Sequence, residues 1–155
     1  MSLPAYGEIV GGLAAELRSA QALTPDLLAK IIAGACPRLM LLSKAGKTAR
    51  LAAFVNASAW TDAALTIVEL ELPAWRLRRL ARDDGEWHCS LSKAPYLPME
   101  LDDTADGRHE ISALAILDAF LEARRRTGDA REARTQTAPH AKSAHGHAIC
   151  CDNFS

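Results

Sequence analysis

Residues 75–92, WRLRRLARDDGEWHCSLS, decide the fold class of this chain. Arginines interleaved with leucines form one arm, a Glu-Trp-His-Cys-Ser-Leu run forms the other, and Asp83-Asp84-Gly85 lies between. Aspartate and glycine tolerate the left-handed backbone that a tight reversal demands. The stretch therefore reads as an antiparallel β-hairpin. A three-residue loop, a type I turn followed by left-handed Gly85, pairs Arg82 with Glu86 and Ala81 with Trp87. That register gathers Trp75, Leu77, Ala81, Trp87, Cys89 and Leu91 on one face. It places Arg76, Arg78, Leu80, Arg82, Glu86, His88 and Ser90 on the other. A loop one residue shorter splits the apolar set, and a buried face specifies register, so the longer loop is expected. Arg79 is the exception, an arginine on the apolar side.

Two strands are not stable alone, so the apolar face needs helices to cover it. The sequence supplies them on both sides. Tyr6, Val10, Leu13 and Leu17 make one helical stripe over 4–20. Thr24-Pro25-Asp26 is a start signal, a capping side chain followed by proline and an acid in the first turn, for a helix reaching Gly34. Pro37 ends one element and opens RLMLLSKA over 38–45, a short helix or a buried strand with helix favoured, which Gly46 closes. A helix over 47–57 carries Leu51, Phe54 and Val55, and another begins at Thr61-Asp62 and stops at Pro73. Beyond the hairpin, Pro95, Pro98 and the Asp-rich run to Gly107 read as a loop over 93–108. Residues 109–126 then form the strongest helix, with Ile111, Leu114, Leu117, Phe120 and Leu121 on a wide apolar face and three arginines at its end. From Thr127 onward large apolar residues almost vanish, which predicts a flexible polar tail over 128–155. The expected architecture is one α+β domain over 1–127, mostly helical, with one antiparallel hairpin packed on helices.

Charge and cysteine usage narrow the function. Eighteen basic residues against nineteen acidic ones give a net charge of -1, which excludes a strongly basic nucleic-acid binder as the default. No segment has the length and apolarity of a membrane span, and the first ten residues carry no Lys or Arg, so neither a membrane nor an export signal is expected. Four cysteines in a chain of this length point to free thiols in a reducing cytoplasm.

The stretch AWTDAALTIVELELPAWRLRRLARDDGEWHCSLS, followed by EISALAILDAFLEARR, resembles a family of small uncharacterised bacterial proteins over residues of about 50–126. A helix ending in ELP that feeds a W-x-L-R-R-L hairpin with D-D-G-E-W carries the resemblance. It implies a shared fold and transfers no catalytic residue.

Four candidate chemistries stand in the sequence. Gly46-Lys47-Thr48 copies the end of a phosphate-binding loop, but Leu41 occupies the position of the required first glycine. His145, His147, Cys150 and Cys151, with His140 nearby, are metal-ligand types at a spacing unlike the standard zinc fingers. Arg76, Arg78 and Arg82 share a hairpin face with His88 and could meet phosphates, although Asp83, Asp84 and Glu86 sit at the same turn. Asp102, Asp103 and Asp106 lack the terminal glutamate of a calcium loop, since Ala113 stands there. His88 and Cys89 point to opposite faces of a strand and form no catalytic pair. The expectation is therefore a non-enzymatic interaction or scaffold module without a cofactor, joined to a protein partner or to a second copy through the hairpin edge or an exposed helix face. Polyanion binding by the arginine face is the alternative, with nucleic acid disfavoured, and an enzyme with an unrecognised pocket is the third.

Overall fold

The computed structural model describes residues 5–128. Five helices come first: α1 (Tyr6–Ser19), α2 (Pro25–Ala35), α3 (Pro37–Lys44), α4 (Ala49–Asn56) and α5 (Trp60–Glu71). Strands β1 (Arg76–Asp83) and β2 (Glu86–Ser92) follow, then a 3-10 turn (Met99–Leu101), β3 (Ala105–His109), and helix α6 over 112–128. The α+β expectation holds. The sheet is antiparallel with order β1-β2-β3 and has three strands where two were expected.

Local chemistry accounts for the helical half. The Thr24 hydroxyl accepts the Leu27 N–H at 3.1 Å, and Pro25 occupies the first turn of α2. Cys36 separates α2 from α3, and Gly46, at φ +73°, reverses the chain after α3. No side chain of α3 itself caps its start. Glu71, at the end of α5, does so from across the core, accepting Arg38 N–H at 3.2 Å and Leu39 N–H at 2.7 Å. A carboxylate at the positive end of a helix is well placed. Arg124 of α6 approaches the same carboxylate at 3.9 Å and donates to the Tyr6 hydroxyl at 2.7 Å, so α1, α3, α5 and α6 meet at one buried polar knot.

The hairpin register differs from the expected one. Asp83 pairs with Glu86, Arg82 with Trp87, Ala81 with His88 and Leu80 with Cys89. Asp84 and Gly85 alone make the turn, at φ 52° and 84°, the left-handed pair that a two-residue turn matched to strand twist requires. The apolar set is not lost, because a β-bulge between Leu77 and Arg79 steps the strand and puts Leu77 opposite Leu91. Leu80 thus joins Cys89 and Leu91 on the inner face, while Ala81 moves to the outer face with Arg79. A bulge is invisible to a strict alternation count, and this is why the shorter loop looked unfavourable.

The third strand replaces part of the expected loop over 93–108. Its inward residues are Ala105 and Gly107, opposite Leu91 and Cys89. Neither carries a strong hydrophobic signal, and at Gly107 the small residue is dictated by α6. A Cβ on Gly107 would sit 2.2 Å from the Ala119 amide nitrogen and 2.6 Å from the Ala115 carbonyl oxygen. Helix α6 therefore lies directly on the β3 backbone at Gly107 through Ala115 and Ala119, both buried. Its opposite flank fills the core with Leu114, Leu117, Phe120 and Leu121, each at most 1% exposed, and Leu17, Ile31 and Ile67 join the same cluster.

Candidate functional site

Arg78 occupies the bulge and turns onto the loop between β2 and β3. Its Nη1 donates to Asp102 Oδ2 at 2.6 Å and to the Pro95 carbonyl at 3.0 Å, and its Nη2 donates to the Leu97 carbonyl at 2.8 Å. The Asp102 side chain is 2% exposed and also accepts the Ser92 hydroxyl, whose oxygen takes the Ala94 N–H at 2.9 Å. Next door, Asp103 pairs with Arg126 of α6 at 2.6 Å. Two adjacent aspartates thus tie one loop to two elements. The fastened loop carries Tyr96, Met99 and Leu101 outward at 84%, 51% and 70% exposure, with Leu77 of β1 at 41%. Met99 lies against Arg78, its sulfur 2.8 Å from Nε. The result is a set of exposed apolar side chains on a pinned backbone; just before the loop, the Lys93 ammonium stands 5.2 Å from the Trp75 ring centre.

The outer face of the sheet is the second feature. Across it run two rows, Ala81–His88–Arg108 and Arg79–Ser90–Asp106. They floor an open cleft of about 1310 Å³, walled by the end of α1 and the turn after β3. Asp106 accepts the Ser90 hydroxyl at 2.6 Å and the Thr104 hydroxyl at 3.1 Å. Asp118 accepts the Arg108 backbone N–H at 3.1 Å and pairs with Arg18 at 3.5 Å. His109 takes the Ile111 N–H on Nδ1 and faces the Ala20 carbonyl with Nε2 at 3.0 Å, which fixes a neutral tautomer protonated on Nε2. The side chains of Arg79, His88 and Arg108 have no hydrogen bond or ion pair among the described residues.

The four hairpin residues singled out in the sequence do not come together. His88 lies on the outer face, and Arg82 stands on the inner one opposite Trp87. Arg76 lies beyond the bulge opposite Ser92, and Arg78 is spent on the loop. The bulge and the two-residue turn together cause the separation. Arg79 and Arg108, which join His88 instead, were missed. Their signal was Asp84-Gly85 itself, since the shorter turn puts Arg79 outward, whereas Arg108 needed a strand that no apolar pattern announces. The tail cluster of His145, His147, Cys150 and Cys151 lies outside the described residues. Among the described residues no group of three or more His, Cys, Asp or Glu side chains is placed to hold a metal ion. Asp102, Asp103 and Asp106 are each committed to different partners. Gly46-Lys47-Thr48 is a helix end, with Lys47 N–H bonded to the Leu42 carbonyl at 2.9 Å.

Burial pushes both described thiols upward. Cys36 rises furthest, with Glu71 adding to the effect, and Cys89 is pushed up to about 12 with Asp106 and Asp118 adding to burial. Thiols held neutral are poor nucleophiles, so they act as small core residues. No helix among the described residues is long and apolar enough to cross a membrane. Comparison with family models, with curated proteins and with solved structures finds no match.

Proposed function

We propose that this chain is a protein-interaction module that performs no chemistry of its own. The observation that carries the proposal is the exposed apolar set of Leu77, Tyr96, Met99 and Leu101. Large apolar side chains left in water on a flexible loop would be unremarkable. Here the loop backbone is pinned by a largely buried Arg78–Asp102 pair, so docking onto it requires little further ordering. Arg76 and Lys93, exposed and next in the chain to Leu77 and to the loop, favour as occupant an apolar segment of another protein that also carries acidic residues. Among the described residues the same loop carries one exposed acid outside an ion pair, Glu100, against the two cations, so the balance of charge favours a partner with acidic residues.

The test is selection of a displayed random peptide library on the full chain, followed by calorimetry with the enriched peptides. Enrichment of Asp or Glu beside large apolar residues is expected, with affinity falling at least tenfold on Leu101→Glu or Tyr96→Glu. No enrichment, or affinity indifferent to both changes, overturns the proposal. A concentration-dependent dimer by light scattering that Leu101→Glu abolishes would replace the acidic partner with a second copy.

A further inference from the structure

We infer that the outer face of the sheet is a binding site for a compact oxyanion, a phosphate or carboxylate head group, gripped by Arg79, His88 and Arg108. The site is separate from that apolar set and rests on different observations. Each of the three residues comes from a different strand. His88 sits on central β2, directly opposite Arg108 on β3, and Arg79 lies one row away on β1. Neighbouring strands are about 4.8 Å apart, so the two arginines flank the imidazole from either side at roughly 10 Å across the sheet. Side chains of that length reach diagonal neighbours on a sheet. All three line the same cleft, and none has a partner among the described residues.

The acidic groups in the cleft decide what kind of anion fits. Asp106 and Asp118 are already engaged, by the Ser90 and Thr104 hydroxyls and by Arg18 with the Arg108 amide. Glu110, after β3, also lines the cleft and has no partner among the described residues. Asp83 and Glu86 face each other across the hairpin end, two residues beyond Ala81 and His88, and neither has a partner among the described residues. Like charges directly opposite are unfavourable, and here they remain uncompensated. The potential along β2 therefore changes sign within about 7 Å. A chain of phosphates laid along the face would have to cross the acidic tip. A single head group does not, and the rest of its molecule would meet that tip with a neutral or cationic part. Guanidinium groups are suited to this grip, since their paired N–H donors match carboxylate and phosphate oxygens.

The experiment is a titration of the full chain with inorganic phosphate, and separately with acetate, against chloride at equal ionic strength, followed by backbone amide shifts. Saturable shifts centred on Ala81, His88, Ser90 and Arg108 are expected with at least one anion, and the anion that saturates at lower concentration identifies the head group. Arg79→Ala and Arg108→Ala should each weaken binding at least tenfold. Arg82→Ala, on the other face of the same sheet, should leave it unchanged. A linear response to both anions overturns the inference, as does an equal loss in Arg82→Ala. An oligonucleotide that binds more tightly than phosphate and is weakened as much by Arg82→Ala would also overturn it, in favour of diffuse polyanion binding.

Discussion

The two faces of the sheet are built from the same strands and obey opposite rules. On the inner face, Cys89, Leu91 and Ala105 are buried in the core, and helix α6 lies so close to Gly107 that the space above it is too small for a single added carbon. On the outer face, Arg79, His88 and Arg108 stand in an open cleft with no described partner. The inner face is constrained by shape, so its residues are fixed by what packs on them. On the outer face the side chains of Arg79, His88 and Arg108 are held by nothing in the described fold. A surface of that kind can carry contacts to other molecules at no cost in stability.

The sharpest way to break this contrast is at Gly107. Gly107→Val must drive α6 off β3, since even a Cβ would meet helix backbone, and a loss of at least about 3 kcal/mol is expected from denaturant unfolding. Asp102→Ala should follow closely. It strands Arg78 with one charge uncompensated in a largely buried site, at a cost of about 3–5 kcal/mol. Replacing both partners together, Arg78→Met with Asp102→Leu, should cost less than Asp102→Ala alone, because no buried charge is then left over. If the double change costs more, the pair matters to the fold through its hydrogen bonds to the loop carbonyls.

Two pH effects come next. The Cys89 thiol, ordinarily at 9.0, is pushed up to about 12 by burial, so its folded state holds the proton more tightly than the unfolded chain. The stability this gives is complete below pH 9.0 and drains away as pH rises toward 12. Iodoacetamide at pH about 8 should leave the Cys36 and Cys89 peptides unmodified in the native protein and alkylate both in denaturant. The weaker effect lies at Glu122. Burial works against its charge, but hydrogen bonds from Arg125 and Arg126 prevail and hold its carboxyl below the ordinary value of 4.5. Its contribution is present above pH 4.5 and lost as pH falls through the lowered folded value. For a pair this near solvent the loss should be roughly 0.5 kcal/mol, read from unfolding midpoints across that window. Smallest of all should be the change in stability on Arg108→Ala, within about 0.5 kcal/mol.

The same contrast explains what was legible in the sequence. Features that rest on local chemistry could be read directly. The Thr24-Pro25-Asp26 start of α2, the break at Pro37, the Gly46 stop and the apolar period of α6 all needed only neighbours in the chain. What depended on distant partners could not. Strand β3 is written ADGRH, and its inward Gly107 has no room for a side chain because α6 lies on it. Glu71 caps a helix that begins 34 residues earlier at Pro37. The bulge at Arg78 reconciles a short turn with an unbroken apolar face, and its reason lies in the loop that Arg78 fastens. The arginine set followed from the same slip in register. His88 was placed correctly, whereas Arg78 and Arg82 were grouped with it by an alternation that the chain interrupts.

The central claim is that contact with other molecules is made by exposed groups the fold does not need. The most direct measurement compares the native chain with Leu101→Glu, taking the affinity for a selected acidic-apolar peptide and the unfolding midpoint on the same samples. The predicted result is at least a tenfold loss of affinity with the midpoint unchanged. Equal affinity in both proteins would contradict the claim, and so would a loss of affinity that appears only together with a lowered midpoint.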